Sequence, residues 1–387
     1  MRPTSLQPDP LLPRRRPTLL LLLLHALVGP IALLVANPVP SAGLTVTNSG
    51  SRFVVITNLQ RFTRTVGTNA EESVFTSPVL TSPIPWDELI LSWNAQHATN
   101  AGFKFEVCPI WADDSSRFYN LGYWTAHPGT HRRQSVNGQK DAVGSVETDT
   151  LLLTKLCRAV QLRITISPTT AAETGLPIEF LGLSLFNRQS YSGLTTNLPA
   201  QSEELLPVPE RSQIAYEGGR DWCSPTSVSM VLGYWAERLK RPSLAVDVPD
   251  VAAAVHDPKW PGTGNWPFNT AFAGMLPGLR AYVTHLSGVS DLQLLLKSGI
   301  PPIVSVSFDL LNGKEKDQGT GHLIVCVGTT PSGDFIINDP WANLDKGERV
   351  QRVVSVQRLV RGWSRSRGVV YLIHPTEWEM PAGLRWE

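Results

Sequence analysis

Residues 221–235 read DWCSPTSVSMVLGYW and set a cysteine directly ahead of a helical pattern. Val228, Val231, Leu232, Trp235 and Leu239 recur at the spacing of one helix face, the stripe by which a helix packs on a core. Pro225 suits the first turn, where a missing N–H costs nothing. Cys223 is therefore expected at the N-terminal end of a buried helix, where unpaired N–H groups and the helix dipole favour an anion. Such a position favours a thiolate when a base or a cation lies beside it.

A second stretch, GTGHLIVCVGTTPSGDFIINDPW at 319–341, supplies a base. HLIVCV and DFIIND are strand-like runs on either side of a turn-rich loop, which reads as a β-hairpin. If Val327 pairs with Asp334, His322 comes opposite Asp339, and directly opposed residues have Cβ atoms roughly 4.5–5.5 Å apart. A slip of one residue would send the two side chains to opposite faces. A lone cysteine at a helix start, or a lone histidine on an apolar strand, is more often a core residue. The set Cys223, His322 and Asp339 in one domain instead has the makings of a nucleophile, a base and the carboxylate that orients the base.

Outward from these stretches, residues 212–387 change from helical patterns to the runs PPIVSVSF, GHLIVCVG, GDFIIND and GVVYLIH, which implies an α+β domain. Residues 44–187 differ in texture. Short alternating runs such as SRFVVITNL, FKFEVCPIW and AVQLRITIS, separated by turn residues, predict an all-β sandwich or jelly roll. The polar, Pro-containing segment 188–211 between them reads as a linker. Residues 1–43 read as an export signal, with Arg14, Arg15 and Arg16 ahead of a Leu-rich run from Thr18 to Val35. The protein is thus expected to be secreted, a membrane anchor being the alternative.

The chain has 387 residues, suited to two domains, and its 34 basic and 33 acidic residues give a formal charge of +1, which gives no reason to expect a nucleic-acid partner. His256 and His285 have no ligand partner at metal spacing, and neither HExxH nor CxxC occurs, so no metal and no cofactor is expected. Cys108 and Cys157 lie in the same predicted β-domain and are candidates for a disulfide, while Cys326 reads as core. Trp222 and the loop GTGNWPFN, with Asn265 and Trp266, are candidates for the walls of a substrate cleft. Trp93, Trp111 and Trp124 read as sandwich core, the alternative being a platform that stacks on sugars.

WCSPTSVSMVL, GTGHLIVCVG and INDPWA resemble the Cys, His and Asp blocks of the papain-like cysteine peptidases related to bacteriocin-processing, double-glycine leader peptidases. The likeness is to the secreted bacterial branch, in which a β-sandwich domain precedes the peptidase domain. It implies Cys223 as nucleophile, His322 as general base and acid, Asp339 as the orienting carboxylate, and a peptide or protein substrate. Two positions depart from the pattern. Ser224 stands where glycine is common, and Glu217 stands six residues before the cysteine, where the family places an oxyanion-hole glutamine. Gln213 can replace that glutamine if YEGG loops out, which Gly218 and Gly219 permit. The reading from a different class is a weak or inactive peptidase fold that binds cell-wall glycan or protein.

Overall fold

The computed structural model describes residues 50–384 apart from 57, 98, 99, 112, 113, 130 and 198–202, so the export-signal segment lies outside it. The first part of the chain builds β1 (Ser51–Val55), β2 (Thr63–Val66), β3 (Ser73–Thr76), β4 (Leu80–Asn94), β5 (Gly102–Trp111), β6 (Asp114–Ser115), β7 (Tyr119–Trp124), β8 (Gly144–Glu147), β9 (Thr150–Ser167) and β10 (Phe180–Phe186). All ten are joined in one ladder, yet β9 changes partners along its length. Its first residues lie between β8 and β4, and its last lie between β3 and β5. A long strand that swaps neighbours in this way turns a corner between two layers. Trp93 of β4 stacks on Phe105 of β5 with ring centroids 4.0 Å apart, which closes the layers on a shared core.

The rest of the chain builds β11 (Glu204–Leu205), α1 (Cys223–Arg238), α2 (Val248–Val255), α3 (Trp266–Met275), β12 (Leu279–His285), α4 (Val289–Lys297), β13 (Ile303–Ser307), α5 (Phe308–Leu311), β14 (Gly321–Thr329), β15 (Phe335–Asn338), β16 (Gln351–Val354), α6 (Val356–Trp363) and β17 (Val369–Pro375). The second sheet runs β12-β17-β13-β14-β15-β16, with β11 added beside β14. The segment read as a linker is therefore partly built into this sheet. Leu206 and Val208 are buried, and Gly328 admits the β11 backbone because a Cβ there would lie 2.1 Å from the Glu204 carbonyl oxygen.

Helix α1 was expected to show one apolar face, but every residue from Ser224 to Ala236 is buried. Its three serines make that burial tolerable by finding partners, while Thr226 Oγ1 is buried without one. Ser224 Oγ meets the Tyr371 hydroxyl at 3.0 Å, Ser227 donates to Leu323 O at 3.3 Å, and Ser229 donates to Val246 O at 2.6 Å.

The two sheets meet along one side of β12. The Asn94 side chain donates to Ala281 O at 2.8 Å and accepts from Ala281 N at 3.1 Å, while Ser92 Oγ accepts from Val283 N at 2.9 Å. Side chains of β4 thus satisfy a sheet edge that would otherwise present unpaired backbone groups. Phe268 of α3 packs against Trp93 and Trp124, with centroids 6.4 and 5.4 Å away. Both tryptophans are about 1% exposed, so neither offers a face to a sugar; Trp111 is half-buried under Lys155. Cys108 and Cys157 share the first sheet as free thiols: Cys108 donates to Ser116 O at 3.0 Å, and Cys157 lies 3.1 Å from Ile110 O.

Candidate active site

Cys223 is the first residue of α1 and half-buried, as expected for a thiol presented by a helix N-terminus. The turns before it are held by Gln213. Its amide donates to the carbonyls of Gly219 at 2.9 Å and Arg220 at 2.6 Å, and its backbone N–H donates to Pro340 O at 2.8 Å. The YEGG segment does loop, with Gly218 at φ +77° and Gly219 so close that a Cβ would stand 2.0 Å from Gln213 O. This differs from the oxyanion role expected of Gln213. Both amide hydrogens are engaged by carbonyls, so the side chain shapes the turn that feeds Cys223, and its own oxygen is buried without a hydrogen-bond partner. Glu217 is exposed on the same loop.

His322 is the second residue of β14 and Asp339 follows β15, but the hairpin register is not the one expected. Val325 pairs with Asn338 and Cys326 with Ile337, whereas beyond a bulge at Val327 Gly328 pairs with Ile336. His322 is consequently not opposite Asp339. It is its diagonal neighbour, two residues from the directly opposed position and on the same face, a separation a carboxylate and an imidazole can span. The bulge matters here. Had the pairing beyond it continued without the extra residue, Asp339 would emerge on the other face of the sheet.

The contact itself is short, with His322 Nε2 at 2.8 Å from Asp339 Oδ1. Cys223 interacts with the same imidazole, whose Nε2 is taken by Asp339. Burial opposes charge on His322, but Asp339 and Cys223 outweigh it and push the imidazole up to about 10. Burial likewise works against the Asp339 carboxylate, yet His322 and Arg352 hold it well below the usual carboxylate range. Trp341 N donates to Asp339 Oδ1 at 3.0 Å, and Arg352 donates to Oδ2 from Nε at 3.1 Å and Nη2 at 2.7 Å. Phe308 turns its face or edge to both His322 and Trp341, with centroids 5.2 and 5.6 Å away at near-perpendicular angles.

The cleft candidates separate. Trp222 caps α1 and is half-buried near Tyr216. Asn265 is fully buried, where it caps α3 by accepting from Phe268 N at 3.2 Å and donates to Asp257 at 3.2 Å, so it is closed to a substrate. Trp266 is half-buried, and its N–H donates to Asp149 of the first sheet's β8–β9 turn at 2.8 Å. Among the described residues, the exposed large aromatics are Trp260, 43% exposed, and Trp341, 39% exposed. Phe308, Trp341 and Arg352 were missed from sequence. INDPW carried the signal for Trp341, but Arg352 had none until β16 was placed. Burial pushes the Cys326 thiol up, and it lies fully in the core. Among the described residues no group of three His, Cys, Asp or Glu side chains could hold a metal, and no helix is long and apolar enough to cross a membrane.

Chemically, the arrangement offers a thiol at a helix start, an imidazole able to hold a proton beside it, and a charged carboxylate behind the imidazole. Comparison with known proteins adds two family matches. Residues 39–184 match the Peptidase C39 N-terminal domain, and residues 205–369 match the Peptidase_C39-like family. Among solved structures, a C39-like peptidase candidate from Bacillus anthracis is similar at 15% identity and a TM-score of 0.34, covering 46% of this chain and 100% of that one. No curated protein matches the chain significantly.

Proposed function

For a chain that belongs to the peptidase C39-like family over residues 205–369, we propose a cysteine peptidase that cleaves an amide bond in a peptide or protein through Cys223, His322 and Asp339. The observation that carries this reading is an imidazole held at 2.8 Å by the Asp339 carboxylate and interacting with the Cys223 thiol at the start of α1. The Cys223 thiolate attacks the carbonyl carbon, and the imidazolium gives its proton to the leaving amine as the C–N bond breaks. A thioester remains on Cys223. Water then loses a proton to the imidazole and attacks the thioester, releasing the acid and restoring the thiol. Asp339 holds the ring in place and stabilises its charge throughout.

With Gln213 committed to carbonyls, the donor for the developing oxyanion is the Cys223 backbone N–H, one of the unpaired groups at the start of α1. Arg14 to Arg16 and the Leu-rich run support export, and with it the proposal that this chemistry acts outside the cytoplasm. The engaged Gln213 amide also favours a second reading, a fold that binds peptides but turns them over weakly. A peptidyl acyloxymethyl ketone separates the two. Rapid labelling confined to Cys223 and lost in His322→Ala supports the enzyme; labelling no faster than that of a free thiol supports the binding protein.

A further inference from the structure

We propose that Arg352 is a positioning residue of this site, dividing the Asp339 carboxylate with His322 and so setting how strongly that carboxylate pulls on the imidazolium. The inference rests on the reading of Cys223 and His322 as a reactive pair. Its geometric basis is the place of Asp339 in the sheet. Ile337 pairs with Arg352 across β15 and β16, and Cys326 pairs with Ile337 across β14 and β15. Asp339 is therefore the diagonal neighbour of His322 on one side and of Arg352 on the other, all on one face. Its Oδ1 is given to His322 and the Trp341 N–H, and its Oδ2 wholly to the Arg352 guanidinium.

Arg352 also reaches a second wall of the site. Its Nη2 donates to Asn312 Oδ1 at 3.0 Å, and Asn312 directly follows α5, whose Phe308 packs on the His322 ring. One side chain thus ties the carboxylate behind the imidazole to the segment beside it. Electrostatically, a cation on the far oxygen weakens the field of Asp339 at the ring while keeping the buried carboxylate ionised. The charged groups facing His322 are Asp339 from the end of β15, Cys223 from α1 and, beyond the carboxylate, Arg352 from β16. Phe308 and Trp341 bring no charge. Without Arg352, Asp339 keeps its bonds to His322 and Trp341, so the imidazolium holds its proton more tightly and becomes a poorer acid toward a leaving amine.

The test is the pH dependence of Cys223 alkylation by iodoacetamide between about pH 5 and 11, followed by intact mass on the full chain. A paired thiol gives a lower step as the ion pair forms and an upper step as the imidazolium loses its proton. In Arg352→Met the upper step should move up by roughly one pH unit. In Arg352→Lys, which keeps the charge, it should stay near the wild-type position. An upper step in Arg352→Met that stays in place or moves down, in protein that melts normally, overturns the proposal; Arg352→Gln serves if the methionine variant does not fold. A wild-type profile with one step near about 8.5, that of an isolated thiol, overturns the reactive pair itself and the role of Arg352 with it.

Discussion

His322 and His285 have much the same company. His285 Nδ1 is 2.9 Å from Ser184 Oγ, its Nε2 is 3.4 Å from Glu88 Oε1, and Arg367 binds the other carboxylate oxygen of Glu88. His322 lies between Cys223 and Asp339, and Arg352 binds the other oxygen of Asp339. Each cluster is a nucleophile type, an imidazole, a carboxylate and an arginine. They differ in access. Ser184 and Glu88 are each 1% exposed and His285 is stacked on Phe186 at 4.5 Å, where β4 and β10 meet the end of β12. Cys223 instead starts a helix and is half open, and Trp341, whose N–H binds the Asp339 behind His322, is 39% exposed. A constellation read only by residue type and distance would give the molecule two sites. Burial of the serine, and its place mid-strand rather than at a helix start, makes the second cluster a joint between sheets.

The comparison breaks most easily at the nucleophiles. Cys223→Ala should abolish peptide hydrolysis, a loss of roughly a million-fold in kcat, with little change in melting temperature. Ser184→Ala should leave hydrolysis untouched and lower stability by about 1 kcal/mol. Hydrolysis that survives the first substitution or falls with the second would reverse the two assignments.

The carboxylates sharpen it. Asp339→Asn should lower kcat by roughly 10² to 10⁴ and leave residual activity, because the imidazole keeps the thiol and loses its orienter. The same variant tests the linkage. An imidazole raised from 6.5 to about 10 contributes stability that is fully present below pH 6.5 and is lost as pH rises toward 10. Melting temperature should therefore fall over that interval in the wild type and be flatter in Asp339→Asn.

Glu88→Gln should leave kcat unchanged and cost about 3 kcal/mol, since Arg367 loses its partner. Burial raises the Glu88 carboxyl, but His285 and Arg367 outweigh it and leave it below its ordinary value of 4.5. Its stabilisation is present above pH 4.5 and fades as pH falls through the folded value, so the acid-side loss of stability should be shallower in Glu88→Gln. Denaturant titrations across pH check both statements.

The smallest effect concerns the border between the sheets. Asn94→Leu leaves the Ala281 N–H and C=O unpaired and should cost about 2 kcal/mol by denaturant titration, with the rate of Cys223 labelling unchanged. A slowed labelling rate would mean that the edge of β12 also positions α1.

The sequence by itself determined the local chemistry: a cysteine opening a helix, a histidine and an aspartate in one hairpin, and alternating runs ahead of them. These rest on periodicities of a few residues and on turn composition, which neighbouring residues impose. Only the tertiary structure decided the register, because the bulge at Val327 is set by pairing with β15 and by the approach of β11, and it is the bulge that keeps Asp339 on the His322 face. The role of Gln213 as a turn-holder, the burial of Trp93 and Trp124 against Phe268, and the reach of Arg352 to Asp339 were likewise decided by contacts between distant segments. Exposure separates the half-open Cys223 from the sealed cluster of Ser184, and it belongs to the packed molecule, since no residue carries its own access to solvent.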